Sequence, residues 1–435
     1  MREDAGRMPV APLDVHGVAA HRPNFHGLDG GIHSRRRVAA GRARARPPQI
    51  APAVDALVPI GPKDLDGRFT QAFDPLRFEC FGHDMITHSM DIAGCVESVL
   101  KKAGMLKDFP RAFLSVTGPD RTRFLHNVLT HDIKGLSVGQ GRPACMLDRQ
   151  GKIRFLAFVH AQPEKLILEM EKGSLPIALQ ELNRYLISDK AKIKDESRSF
   201  RVVALHGPGA AEVLARVFPS LTLPETNLGN GSPPNISGIE SILRWDLFGV
   251  SGYHLWVSPR AEEEVRGKLL TAGKDGALEE ISGEAFHVLR IMRGIPWPGA
   301  EIDENVILNE LGQNEELASF TKGCYVGQEI VARIKYRAHP PRLLKGFSIS
   351  GSNLPSTRSP LILESKPVGI LTSCCFSPTL NQVIALGFLN YGVEETHFEV
   401  GTSGGPAAAT EEAEVVRRPP AAAATLRELP FSGSG

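Results

Sequence analysis

Ser319-Phe320-Thr321-Lys322-Gly323-Cys324-Tyr325-Val326-Gly327-Gln328-Glu329-Ile330-Val331-Ala332-Arg333 is the stretch on which the reading of this chain turns. Its polar residues are dense and do not alternate with apolar ones, which argues against a half-buried strand. Val326, Ile330 and Ile334 recur at every fourth position, so the spacing predicts a helix that begins close to Cys324. A thiol at a helix N-terminus, with Lys322 two residues away, sits in a positive potential that favours thiolate. Cys324 is therefore a candidate reactive residue with Lys322 as its support. The competing reading is a small buried hydrophobe, a common fate of free cysteine.

Upstream of this segment the periodicities describe an α+β protein. Residues 112–116, 144–147, 153–160 and 166–170 read as strands, and the turn Asp148-Arg149-Gln150-Gly151 marks a hairpin between the second and third. Residues 119–129 and 175–187 carry apolar positions at helical spacing. A second unit opens with the strand 201–206, turns at Gly207-Pro208-Gly209 and enters a helix over 210–217. That turn has neither the P-loop nor the dinucleotide pattern, so it is read as a turn only. Strands at 241–247 and 253–257 and a helix at 260–272 complete the order strand, helix, strand, strand, helix, which predicts a ferredoxin-like subdomain. Beyond residue 340, short strands split by Pro and Gly predict a small β-barrel.

The ends differ in composition from this middle. Residues 1–62 hold nine Arg, eight Pro, no Lys and one aromatic, Phe25, with no apolar period, so they cannot bury enough surface to fold. The cluster Arg35-Arg36-Arg37, Arg42, Arg44, Arg46 has the form of a nucleic-acid arm or transit leader. The stronger reading is an upstream extension, because Arg without Lys beside Ala, Gly and Pro is what GC-rich DNA encodes, with Met85 or Met90 expected as the natural start. Residues 1–105 are accordingly expected to be a disordered leader, and the Pro-, Ala- and Gly-rich residues 401–435 a disordered tail. With 50 basic against 49 acidic residues there is no general field for nucleic acid. Six cysteines without a CxxC pair, and no secretory segment, point to a reducing cytoplasm, and no cysteine spacing suits a metal. His206, His254 and His287 lie in or beside apolar runs and are expected to be satisfied interior residues.

Lys322-Gly323-Cys324-Tyr325-Val326-Gly327-Gln328-Glu329 resembles, position for position, the K-G-C-[YF]-x-G-Q-E signature of the YgfZ-type folate-binding proteins, relatives of the glycine-cleavage aminomethyltransferase. The resemblance spans about residues 110–395. Phe124-Leu125-His126 with Thr130-His131-Asp132 is similar to the family's opening helix and following turn, with His131 in place of Asn. Gly249-Val250-Ser251-Gly252-Tyr253 resembles its Gly-x-x-Gly-Tyr turn, and Arg290-Ile291-Met292-Arg293-Gly294-Ile295-Pro296 its folate-pocket segment.

The resemblance implies two GcvT-like α+β units within residues 106–340, the second over about 198–285, and a barrel over 341–400, set around a central hole that takes tetrahydrofolate. It implies a role in iron-sulfur cluster assembly or repair, especially for the four-iron clusters of radical tRNA-modifying enzymes. Iron-sulfur client proteins or cluster carriers would be the partners, with no direct nucleic-acid or membrane contact and a monomeric state. Cys324 and Lys322 would be the working pair, Gln328 and Glu329 would hold the loop, and Tyr253 and Tyr325 would stack on the pterin ring or lie in the core. Arg290, Arg293 or Arg333 would pair with the folate glutamate tail or form structural salt bridges. At the positions where aminomethyltransferases carry an Asp pair this chain has Phe155 and Leu156, and Met292 replaces a pterin-binding carboxylate. Apolar side chains cannot serve as a general base, so a folate-dependent factor is expected before an aminomethyltransferase or demethylase, with a thiol redox sensor as a third reading.

Overall fold

The computed structural model of the protein describes residues 85–233, 236–402 and 422–431. Helix α1 (Met85–Lys101) and strand β1 (Gly104–Leu106) precede a first unit of β2 (Arg111–Thr117), α2 (Arg121–Val128), β3 (Gly141–Leu147), β4 (Ile153–Ala161), β5 (Leu166–Glu171), α3 (Leu175–Tyr185) and β6 (Lys192–Asp195). A second unit holds β7 (Arg201–His206), α4 (Ala210–Val217), β8 (Asn230–Gly231), β9 (Ile239–Arg244), β10 (Gly252–Val257), α5 (Glu262–Ala272) and β11 (Glu279–Ile281). Helices α6 (Gly283–Met292), α7 (Asn314–Leu317) and α8 (Gln328–Arg337) lead to β12 (Arg342–Ile349), β13 (Pro360–Leu363), β14 (Lys366–Ser377), β15 (Gln382–Asn390), β16 (His397–Val400) and β17 (Ala423–Arg427).

The first sheet runs β3-β4-β5-β2-β6 and is antiparallel throughout; the second runs β11-β1-β7-β10-β9-β8, with β1 and β11 parallel. The last six strands close into an antiparallel barrel filled by Phe347, Leu371, Val383, Ala385 and Phe398, which leaves no strand edge open. The protein is thus α+β with a C-terminal barrel, as the periodicities predict.

Side-chain parity decides what each sheet presents to the middle of the molecule, because neighbours on a strand point to opposite faces. On β4, Phe155, Ala157 and Val159 join Leu114, Val116, Leu168 and Met170 in a core covered by α2 and α3. Leu156 has the other parity and packs against the cluster that holds Phe113 and Ile167 from the first sheet and Val202, Ala204 and Trp256 from the second. In the second sheet, Val203, Leu205, Tyr253 and Leu255 face the opposite way, into a core under α4 and α5.

Three boundaries differ from expectation. Residues 85–105 are not leader: α1 buries Cys95, Val96 and Val99, and β1 pairs with β7 and β11. A three-residue strand carries too little period to be seen in sequence, and its Gly104 has Val99 and Ile281 atoms 2.5 Å from where a Cβ would stand. Likewise β17, inside the presumed tail, pairs with β12 and β16 and completes the barrel. Helix α8 starts at Gln328, four residues after Cys324, because Gly327 takes a left-handed φ of 80° at its N-cap. The Arg35 to Arg46 cluster and most of the alanine-rich tail lie outside the described residues.

Candidate functional site

A pocket of about 260 Å3 opens where both units and the turn after α6 meet. Leu156 and Phe158 reach it from β4, Arg111 from β2, Trp245 and Asp246 from the turn after β9, and Ile295 to Pro298 from the segment after α6. Its walls are aromatic. Phe158 and Trp245 ring centres stand 4.2 Å apart, Trp297 packs at 4.9 Å on Phe286, and Phe109 lies within 6.3 Å of Trp245, Phe286 and Trp297. Of the carboxylates that line it, Asp246 is gripped by the Arg244 guanidinium at 3.1 Å, while Glu171 and Glu316 belong to its wall with no ion pair among the described residues. A larger cleft, about 400 Å3, lies on the β3–β4 hairpin between Arg149, Arg154, Glu181 and Arg184. It is lined by the hairpin turn Asp148 to Gln150 and by the ion pairs of Glu181 with Arg154 and Arg184, and holds none of the residues expected to bind a ligand or react.

Beneath the aromatic walls lies a fully enclosed charge cluster assembled from strands of both sheets. Arg111 Nε donates to Glu169 Oε1 at 2.9 Å; His160 Nε2 stands 3.4 Å from Glu169 Oε2, and His254 Nδ1 3.7 Å from Oε1. His254 Nε2 meets His206 Nε2 at 3.3 Å. Burial alone would raise the Glu169 pKa, but the Arg111 charge and the two imidazoles outweigh it and hold the carboxyl well below its usual range. Burial pushes His254 below the usual histidine value, and burial, then the repulsion that a protonated His254 would exert, does the same to His206. Arg111 Nη2 is buried and has no hydrogen-bond acceptor among the described residues. The guanidinium carbon lies 5.1 to 5.8 Å from the Phe109, Phe158 and Trp245 ring centres.

The sequence motif sits apart from this cluster, on the loop before α8. Cys324 is exposed, so the reading as a buried hydrophobe is set aside. Lys322 does not serve it as expected: its ammonium donates to the carbonyls of His126, of Leu129 at 2.5 Å and of His131 at 3.1 Å, the C-terminal end of α2 and the turn beyond. Burial lowers the Lys322 pKa to about 8. Its Nζ also stands 4.9 Å from the Tyr325 ring centre, and Tyr325 is buried, its phenol pushed up to about 12 first by burial and then by Cys145. Lys322 is thus a clamp that ties the loop to α2.

Gln328 opens α8, and neither it nor the exposed Glu329 makes a side-chain hydrogen bond among the described residues; Arg333 is exposed on the same helix. Gly327 rather than these side chains shapes the loop, since a Cβ there would stand 2.4 Å from the Asp148 carbonyl oxygen.

The remaining predicted ligands divide. Tyr253 is turned into the α4–α5 core and does not line the pocket. Arg290 is structural: Nη1 donates to Glu301 Oε2 at 2.9 Å, Nη2 to Ser373 Oγ at 2.6 Å, and the pair is 3% and 0% exposed. Arg293 caps α6 and lies against Gly249. His131, in the turn after α2, is lowered to about 4 by burial and by Arg142. Cys375 belongs to the central core and Cys374 packs on the barrel interior, the opposed orientation expected of strand neighbours. Among the described residues no group of three or more His, Cys, Asp or Glu could hold a metal, and no helix is long and apolar enough to cross a membrane.

The missed residues are Arg111, His160, Glu169, Trp245 and, as members of a cluster, His206 and His254. Parity was the available signal: Arg111 and Phe113, Glu169 and Ile167, His254 and Trp256 each share a strand face, and that face is the central one.

Residues 78–315 match the family model of the GCVT N-terminal domain, and residues 342–420 that of the glycine cleavage T-protein C-terminal barrel domain. An aminomethyltransferase of Streptomyces avermitilis is 25% identical over 311 residues, 71% of this chain and 82% of that protein. A chloroplastic putative transferase of Arabidopsis thaliana is 27% identical over 275 residues, 60% of this chain and 59% of that one. Among solved structures, the glycine cleavage system aminomethyltransferase T of Bartonella henselae superposes with a TM-score of 0.67 at 19% identity, covering 79% of this chain and 90% of its own.

Proposed function

The chain belongs to the GCVT family, and on that premise we propose that it binds tetrahydrofolate in the central pocket and serves the assembly or repair of iron-sulfur proteins, with Cys324 as its reactive thiol. The observation that carries the folate part is the pocket itself, a cavity of about 260 Å3 with flat walls from Phe158, Trp245 and Trp297. Planar rings stack on such walls, and the volume suits the bicyclic head of a folate with its tail outside. Bound there, tetrahydrofolate would carry one-carbon units on N5 of its ring and N10 of the adjoining bridge. The exposed thiol of Cys324 on the Lys322-clamped loop, within the YgfZ-like motif, supports the cluster part: it is open to a client protein's cluster or its carrier.

Aminomethyl transfer is the second reading, favoured by the names of relatives at about 25% identity. Strand β4 argues against it. Its pocket-facing positions are Leu156 and Phe158, and Phe155 points into the helix-covered core, so no carboxylate on this strand can act on a bound amine. Titration calorimetry of the full chain with tetrahydrofolate under anaerobic conditions, paired with an assay for methylene-tetrahydrofolate from an aminomethyl donor, separates the readings. Binding without transfer is the expected result. Stoichiometric transfer establishes the aminomethyltransferase reading, and absence of binding defeats the assignment of the pocket.

A further inference from the structure

The outer end of a folate is a chain of carboxylates, and the central pocket offers it no free cation. Arg290, Arg293 and Arg333, to which the resemblance assigns the glutamate tail, do not line the pocket. Arg290 is held by Glu301 and Ser373, Arg293 lies against Gly249, and Arg333 is exposed on α8. The charged residues of the wall are Arg111, Glu171, Asp246 and Glu316. Two of these are neutralised in place: Arg111 by the buried Glu169 at 2.9 Å, and Asp246 by the Arg244 guanidinium at 3.1 Å. Glu171, at the end of β5, and Glu316, in α7, have no ion pair among the described residues. Glu171 is half-buried and Glu316 is exposed, and wall residues that also meet water stand at the mouth. The mouth thus carries two unbalanced negative charges over an aromatic interior, where low-dielectric walls concentrate their field on whatever leaves the opening.

We propose that Glu171 and Glu316 are specificity residues of the central pocket, which select a ligand with little negative charge at its outer end, so that a folate with one glutamate is bound in preference to its polyglutamylated forms. The proposal rests on the assignment of the pocket to a folate with its ring head inside and its tail outside. The uncharged ring head contributes equally to the binding of every member of the series. Each further glutamate adds one carboxylate to the part that passes the mouth, and no wall residue stands ready to pair with it. Two like charges about 10 Å apart in water weaken binding about twofold. Two added tail carboxylates facing Glu171 and Glu316 make four such pairs, so a triglutamate should bind roughly five- to fifteenfold more weakly than a monoglutamate at low salt.

The test is calorimetric titration of the full chain with 5-formyltetrahydrofolate as its monoglutamate and its triglutamate, at about 0.01 M and about 1 M salt, where charges act over roughly 30 Å and 3 Å respectively. Wild type is expected to prefer the monoglutamate at low salt and to lose that preference at high salt, because screening removes a repulsion. The double variant Glu171→Gln, Glu316→Gln keeps the size and polarity of both side chains and removes both charges. It should bind the two probes alike at low salt, chiefly by gaining affinity for the triglutamate. The salt series on wild type makes the same comparison without any substitution. A triglutamate bound as tightly as the monoglutamate or more tightly, or a preference that survives in the double variant or at high salt, overturns the proposal and leaves Glu171 and Glu316 ordinary surface carboxylates. Wild type that binds neither probe defeats instead the folate assignment, and the proposal with it.

Discussion

Replacing Arg290 by Met removes the cation from a carboxylate that has no route to water. Glu301 is 0% exposed; its Oε2 accepts from Arg290 Nη1 at 2.9 Å and from the Trp297 amide at 3.0 Å, and its Oε1 from Thr372 Oγ1 at 2.8 Å and Ser373 Oγ at 2.5 Å. In Arg290→Met three neutral donors remain, but nothing balances the charge, and Ser373 Oγ loses the guanidinium donor it now has. Breaking a buried pair on one side costs about 3–5 kcal/mol. With a urea m-value of about 3 kcal/mol/M, the unfolding midpoint should fall by roughly 1 M or more. The double variant Arg290→Met, Glu301→Leu should recover much of that loss, because the two residues act as one unit. Urea titration followed by circular dichroism reads both. A single variant that keeps the wild-type midpoint yet loses affinity for tetrahydrofolate would refute the structural role and return Arg290 to the ligand.

Lys322→Met should lower stability by about 2–3 kcal/mol by stripping the carbonyls of His126, Leu129 and His131 of their shared donor; unchanged melting with slower alkylation of Cys324 by iodoacetamide, read by peptide mass spectrometry, would instead support a thiolate partner. Gly327→Ala meets both a left-handed φ of 80° and the Asp148 carbonyl oxygen at 2.4 Å, so backbone must move. A loss of about 2 kcal/mol or more in melting analysis is expected, and a melting temperature equal to wild type would contradict the contact. Acid should destabilise the protein in two stages. His206 and His254 stay neutral in the fold while the unfolded chain takes up protons near the usual 6.5, so stability falls as pH drops below that value. Glu169, held below its usual 4.5 in the fold, adds a loss as pH falls below that value. Melting temperatures measured from pH 7.5 to 4 should hold near neutrality and decline below about 6.5, with His206→Leu flatter between 6.5 and 5; a flat wild-type profile down to pH 5 would contradict the buried neutral imidazoles.

What could be read from sequence was whatever a local period carries. The β3–β4 hairpin was visible because Ile153, Phe155, Ala157 and Val159 alternate with less buried neighbours around an Asp148-to-Gly151 turn whose Asp148 carboxylate accepts the Gln150 and Lys152 amides. Strands β1 and β17 were hidden, the first by its three residues and the second by its proline- and alanine-rich surroundings. The motif leaves Tyr253 between ligand and core, and its parity on β10 decides for the core, sending it to the far side of the sheet from His254 and Trp256. Lys322 was paired with Cys324 because the two are near in sequence, whereas its ammonium reaches carbonyls more than 190 positions away. The Arg111, His160, Glu169, His206 and His254 cluster needs the register of β2 against β5, of β4 against β5 and of β7 against β10 before any two of its members meet. No single segment contains that information.

The central claim is that a folate-binding member of this family works through Cys324 on iron-sulfur proteins and does not transfer aminomethyl groups. The most direct measurement is rescue in a host lacking its own YgfZ-type protein. The full chain is expressed as wild type and as Cys324→Ala, and the activity of a four-iron radical tRNA-modifying enzyme is measured. The full chain is required because α1 and β17 belong to the folded unit. Recovery with wild type and failure with Cys324→Ala at equal abundance is the predicted result. Equal recovery by both, or by neither, would contradict the claim.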